Sequence, residues 1–157
     1  MNTLTVLLFG FMLGNSPILN EVRVSFYEAS IDLDKREAFY NLTQKKKDES
    51  SVAQCYFGAA QTMMAEVTLN PYTKLSYFNN GKAAIEEAIK TNPSNPELRY
   101  VRYMIQSNAP DFLGYNNNII EDLQIVHKAI AGIDDKKPWM LHFEHYRRAK
   151  QTSMNTE

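Results

Sequence analysis

Ser76–Tyr100 reads SYFNNGKAAIEEAIKTNPSNPELRY, and its small residues and prolines decide the fold class. Phe78, Gly81, Ile85 and Ala88 recur at spacings of three and four, so they form one stripe of a helix. Gly81 and Ala88 are small enough to let a neighbouring helix approach closely. Pro93 then closes the segment, because the proline ring pushes the residue before it out of the right-handed helical region. Asn95 is a good N-cap, and Pro96, which lacks only an amide that the first turn leaves free, starts the next helix. A helix, a short proline-punctuated break and a second helix are therefore expected here.

Outward from this segment the chain reads as helical from about Asn20 to near its end. Val22, Phe26 and Ala29 share a face of a first helix, and Asp32 caps a second carrying Ala38, Phe39 and Leu42. Ser51 and Gln54 have the spacing of a capping box for a third helix, with Val52, Cys55 or Tyr56, Ala59, Met63 and Val67 in its stripe. Pro71 ends that helix, and NPYTKLSYF is expected to be a connection that lengthens the hairpin. Leu98, Val101 and Ile105 mark the inward face of the fifth helix, and Ile119, Leu123, Val126 and Ile130 that of the sixth, which Gly132 terminates. Asp134 and Asp135 open a last helix with Trp139, Phe143 and Tyr146 in line. No window alternates with period two between turn residues, so no strand is expected. The expected fold is all-α: antiparallel helical hairpins, six to seven helices, in one solenoid-like domain over residues 20–152, with a frayed tail at 153–157.

The helix–NPSNPE–helix junction resembles the tetratricopeptide repeat, whose second helix carries small, large and small apolar residues ahead of a proline. Gly81, Ile85, Ala88 and Pro93 match that half. The preceding helix, with Phe57, Gly58 and Ala59, lies about ten residues too far upstream for the family's ~34-residue unit. The resemblance covers about one repeat, and it implies a helical hairpin used for binding a peptide or protein. NPYTKLSYFNNGK and IQSNAPDFLGYNNNIIED are also similar to stretches of small bacterial proteins of unknown function, often exported.

Composition narrows the remaining choices. The 157 residues are 44% hydrophobic and include nine tyrosines, eight phenylalanines and one tryptophan, enough for a single core but short for two domains. A net charge of −1 excludes the concentrated basic face that nucleic-acid binding requires. Lys45–Lys47 adjoins Asp48 and Glu49 and reads as a solvated helix end, as do Arg147, Arg148 and Lys150. Leu4–Gly14, LTVLLFGFMLG, has the length of a signal-peptide apolar region and is too short to span a bilayer. Residues 1–19 are accordingly expected to be an export signal, with a bacterial periplasmic location. The alternative is a buried first helix in a cytoplasmic protein. No stable membrane span is expected in the mature chain.

Motifs for chemistry are sparse. The six glycines are scattered, so no glycine-rich loop can cradle a phosphate. The single Cys55 allows no intramolecular disulfide and sits in a helical stripe as a small core residue. His142 and His145 lie one turn apart, but a zinc site needs a third protein ligand, which only His127 or a distant carboxylate could supply. They read as solvated helix residues, and no catalytic residue, metal or cofactor is assigned. Two segments carry apolar side chains where polar ones are usual: Tyr72, Leu75, Tyr77 and Phe78 in NPYTKLSYF, and Phe112, Leu113 and Tyr115 in Asn108–Asn118. Tyr72, Tyr77, Phe112, Leu113 and Tyr115 are the candidate partner-binding residues, with burial as core anchors the competing outcome. The leading functional reading is a non-enzymatic helical-repeat module that binds a peptide or protein. A hydrophobic-ligand or lipid-binding bundle, suggested by Met63, Met64 and the tyrosines, comes second, and a histidine-dependent metalloenzyme last.

Overall fold

Asn70 sets the longest helix. Its side-chain oxygen accepts from the amides of Tyr72 and Thr73 at 2.9 and 3.1 Å, Pro71 takes the first helical position, and α4 runs unbroken over Pro71–Thr91. The NPYTKLSYF stretch is therefore helix rather than connection. Asn95 repeats the device, accepting from the Glu97 amide at 2.9 Å ahead of α5 over Pro96–Gln106.

The structure, a computed structural model, describes residues 17–154. Among them lie seven α-helices and no strand: α1 Pro17–Ile31, α2 Arg36–Gln44, α3 Ser51–Val67, α4, α5, α6 Ile119–Ile130 and α7 Pro138–Met154. Single 3-10 turns precede α2 at Leu33–Lys35 and follow α5 at Asp111–Leu113. The chain is all-α, as expected. No helix among the described residues is long and apolar enough to cross a membrane. The apolar block Leu4–Gly14, expected to be an export signal, lies outside the described residues, as do 155–157 of the tail expected at 153–157, whose first two residues continue α7.

Several helix starts differ from the sequence reading. α1 begins at Pro17, and Leu19 is already buried. Ser50, not Ser51, caps α3, its hydroxyl oxygen accepting from the Ala53 amide at 3.1 Å. α7 begins at Pro138 rather than at the two aspartates. In α2 the inward stripe is Arg36, Phe39 and Thr43, while Ala38 is exposed. Both polar members find backbone acceptors: Arg36 Nε donates to the Ala29 carbonyl at 3.2 Å, and Thr43 Oγ1 to that of Phe39 at 2.8 Å. Thr43, satisfied in this way, is buried at little cost, and the Arg36 charge is met by Glu66 of α3. Gly132, with φ +74°, follows α6 in the left-handed conformation that ends it.

α3 and α4 approach each other closely at Gly58 and Gly81. A Cβ on Gly81 would stand 2.5 Å from the Gly58 carbonyl oxygen and 2.8 Å from the Thr62 amide nitrogen, and a Cβ on Gly58 2.7 Å from the Gly81 oxygen. The obstructing atoms are backbone, so only glycine fits at either place. Ile85 and Ala88 are fully buried beyond this crossing.

α5 lies at the centre and is buried on nearly every side, from Glu97 to Gln106. Its charged residues are consequently paired. Arg23 of α1 reaches Glu97 in a fork, Nε to Oε1 at 2.6 Å and Nη2 to Oε2 at 2.8 Å, and the Tyr56 hydroxyl donates to the same Oε1 at 2.9 Å. Arg102 makes a second fork with Asp122 of α6 at 2.7 and 2.8 Å, and its Nη1 donates to Glu86 of α4 at 2.8 Å. Burial opposes the charge on Arg102, but the bonds from Asp122 and Glu86 win and raise its pKa. These forks tie α1, α4 and α6 to one helix. Bidentate geometry fixes register more than it adds stability, because desolvating two charges offsets most of their attraction.

Candidate functional site

An apolar cleft of about 580 Å³ opens where α1 to α4, the end of α5 and the following loop meet. Its floor includes Met63 of α3, Phe78 of α4, and Met104 and Ile105 of α5, all buried core residues that present part of their surface to it. Its rim carries Leu75 of α4, 51% exposed, and Phe112 of the loop, 85% exposed. Met side chains adapt their shape to what lies against them, so the floor suits an apolar guest of irregular outline. The polar groups at the cleft are few: Arg36, Glu66, Lys74, Ser30, Thr62 and Asn108.

The loop owes its form to Gly114. At φ +60° the glycine closes the 3-10 turn Asp111–Leu113 and reverses the chain, so that Phe112 and Tyr115 point to opposite fates. Phe112 stands in solvent and Leu113, half-buried, lines the cleft. Tyr115 is core: its ring meets Phe78 edge-on with centroids 6.0 Å apart, and its hydroxyl donates to Glu86 Oε1 at 2.7 Å. Burial and then that carboxylate push the Tyr115 hydroxyl far above the usual phenol range, so it stays a donor.

Of the five residues singled out in the sequence, the cleft brings together only Phe112 and Leu113. Tyr77 is half-buried and spends its ring on Tyr40 of α2, edge-on at 5.8 Å. Tyr72 is 87% exposed on the first turn of α4, outside the cleft lining but next to Pro71, which lines it. The sequence reading left Phe78 between core and binding, and it is both, whereas Met104 of the floor was not singled out.

The histidines do not converge. His127 and His145 are exposed, and His142 is buried between α1, α5 and α7, correcting its reading as solvated. The Tyr100 hydroxyl and His142 Nδ1 are hydrogen-bonded to each other. The Tyr27 ring lies edge-on to the imidazole at 4.5 Å, with Phe26 at 5.9 Å. Burial, and then the nearby His145, lower the His142 pKa to about 4, so the ring is neutral at physiological pH. Among the described residues no group of three metal-binding side chains comes together. Cys55 is fully buried, and burial followed by the Glu97 charge raises its pKa well above the ordinary thiol value, so it is not a nucleophile.

Comparison with protein-family models, with curated proteins and with solved structures finds no match to this chain.

Proposed function

We propose that the chain is a non-enzymatic binding module whose cleft takes an apolar segment of a polypeptide partner. The observation that carries this reading is the apolar rim. A small ligand is held within its pocket with most of its surface covered, so apolar side chains standing outside the mouth add nothing to its binding. Here Phe112 and Leu75 line the cleft while 85% and 51% exposed, and Leu69 and Tyr72, 97% and 87% exposed, flank Pro71 of the lining in the chain. Exposed apolar surface of this kind is retained where a macromolecule covers it. On this reading α3 and α4 act as the helical hairpin that the tetratricopeptide-like segment around Gly81 suggests, with the extended N-terminal part of α4 forming one wall.

The alternative, a free apolar ligand, has its own support in the cleft volume of about 580 Å³, which lies within the range of small-molecule sites. Selection from a random dodecapeptide display library on the full chain separates the two. The polypeptide reading predicts clones that bind the wild type and lose binding to the double variant Leu75→Asp, Phe112→Asp. Both side chains are exposed, so that variant should keep the helical circular dichroism and melting temperature of the parent. Failure to select any rim-dependent clone, with stoichiometric dodecanoate binding instead, would replace this reading with the ligand carrier.

The apolar block Leu4–Gly14, on its sequence alone, supports an exported site of action. Mass spectrometry of protein from its native host should find a new N-terminus between Asn15 and Pro17, and an intact Met1 on soluble cytosolic material would contradict export.

A further inference from the structure

The charges at the cleft point to the chemistry of its partner. Three ionisable side chains line it: Arg36 of α2, Glu66 of α3 and Lys74 of α4, two cations against one carboxylate. Arg36 is the more constrained cation. Its side chain is 10% exposed, and its Nη1 stands 2.7 Å from Glu66 Oε2. This buried nitrogen is paired by charge rather than by a well-directed hydrogen bond, so a carboxylate in the cleft meets only the part of the guanidinium that lines it. Glu66 meanwhile is 58% exposed and shares its charge with water. Lys74 is exposed where it lines the cleft, and no described residue places a carboxylate within ion-pair reach of it. Asp111, next to Phe112 in the 3-10 turn, does not line the cleft.

We infer that the partner segment carries an acidic side chain beside its apolar anchor, with the anchor on the Met63–Met104 floor and the carboxylate at Arg36 and Lys74. A guanidinium held by its backbone bond to Ala29 is already oriented, so a carboxylate meeting it gains charge-assisted hydrogen bonds at little ordering cost. Lys74 adds a mobile second charge that steers acidic sequences and repels basic ones. Exposed charges of this kind are screened by salt, so the acidic preference must weaken as ionic strength rises.

This inference rests on the polypeptide reading and can fail while that reading stands. Dodecapeptides selected on the full chain in a rim-dependent way are sequenced and the best is titrated. The expected result is enrichment of Asp and Glu within about a turn or an extended pair of residues of an aromatic or aliphatic anchor. Replacing the acidic residue with its amide should weaken binding at least about tenfold at low salt, and Lys74→Glu should do the same to the acidic peptide while leaving the amide peptide within twofold. Selected peptides without acidic bias, or an amide version that binds as well as the acidic one, would overturn the inference and leave the polypeptide reading intact. Absence of any rim-dependent peptide would overturn both. Displacement of the bound peptide by dodecanoate only at concentrations far above the peptide's own dissociation constant is expected; stoichiometric dodecanoate binding that outcompetes every selected peptide would instead assign the acid-and-apolar chemistry to a free amphiphile.

Discussion

At Gly81 one missing methyl group holds two helices together. The Cβ of Gly81→Ala would meet the Gly58 carbonyl oxygen and the Thr62 amide nitrogen, at 2.5 and 2.8 Å, and neither can move without opening α3 against α4. Overpacking of this kind costs about 1–3 kcal/mol, set against a gain of less than about 1 kcal/mol in helix propensity from Gly to Ala, so the substitution should destabilise. A lowered urea midpoint for Gly81→Ala is the expected outcome, and an unchanged or raised midpoint would contradict the close crossing. The buried arginines behave differently from surface ions. Arg23→Met strands the Glu97 carboxylate and should cost about 3–5 kcal/mol, whereas joining it to Glu97→Gln should recover much of that loss. Additive losses in a double-mutant cycle of urea melts would contradict the coupling. For His142 the sign follows from its folded-state pKa of about 4 against an ordinary value of about 6.5 in the unfolded chain. The unfolded chain binds the proton first as pH falls, so the contribution is whole above about pH 6.5 and is lost toward pH 4, on the order of 3 kcal/mol at most. Melting temperatures of wild type and His142→Gln should therefore converge between those limits, and parallel pH profiles would contradict the buried, neutral imidazole.

Helices were legible in the sequence where an apolar stripe or a proline marked them, and less so where neither did. The core positions Val22, Phe26, Ala29, Ile85, Ala88, Leu98 and Val101 follow directly from helical spacing, and all are fully buried. The N-terminal part of α4 escaped that reasoning because Pro71 to Ser76 are all exposed, so no inward stripe runs through it. Its only local signal is the Asn70–Pro71 cap, the same device as Asn95–Pro96, and a cap without a stripe carries little weight. In α2 the spacing drew attention to Ala38, whereas the buried face holds Arg36 and Thr43, whose backbone bonds replace the water they lose. Periodicity of apolar residues cannot see such positions. The loop after α5 was ambiguous for another reason: which of Phe112 and Tyr115 turns inward depends on the left-handed conformation of Gly114 and on Glu86 waiting for a hydroxyl. Tyr115→Phe should cost about 1–2 kcal/mol by leaving the Glu86 carboxylate without that donor, while Phe112→Ser should leave the melting temperature unchanged. A large stability loss from Phe112→Ser would show that its ring is packed.

Across the whole molecule, the charged forks on α5 and the aromatic cluster around His142 draw distant parts of the chain to one central helix, α1 meeting both α5 and α7. Among the described residues the arrangement leaves a broad apolar concavity beside the N-terminal half of α4, where the loop after α5 lifts Phe112 into solvent. That concavity was not foreseeable from sequence, because its floor residues look like any other core methionine or phenylalanine until the helices are placed. The most direct test of its role is to place a photoreactive benzophenone at the anchor position of a selected rim-dependent peptide, irradiate the complex with the full chain, and locate the adduct by mass spectrometry. The account predicts adducts at Met63, Met104 or Leu113, lost when Leu75 and Phe112 are both replaced by aspartate. Adducts confined to the polar hollow around Lys47 and Phe57, or to the outer faces of α6 and α7, would contradict the cleft as the binding site.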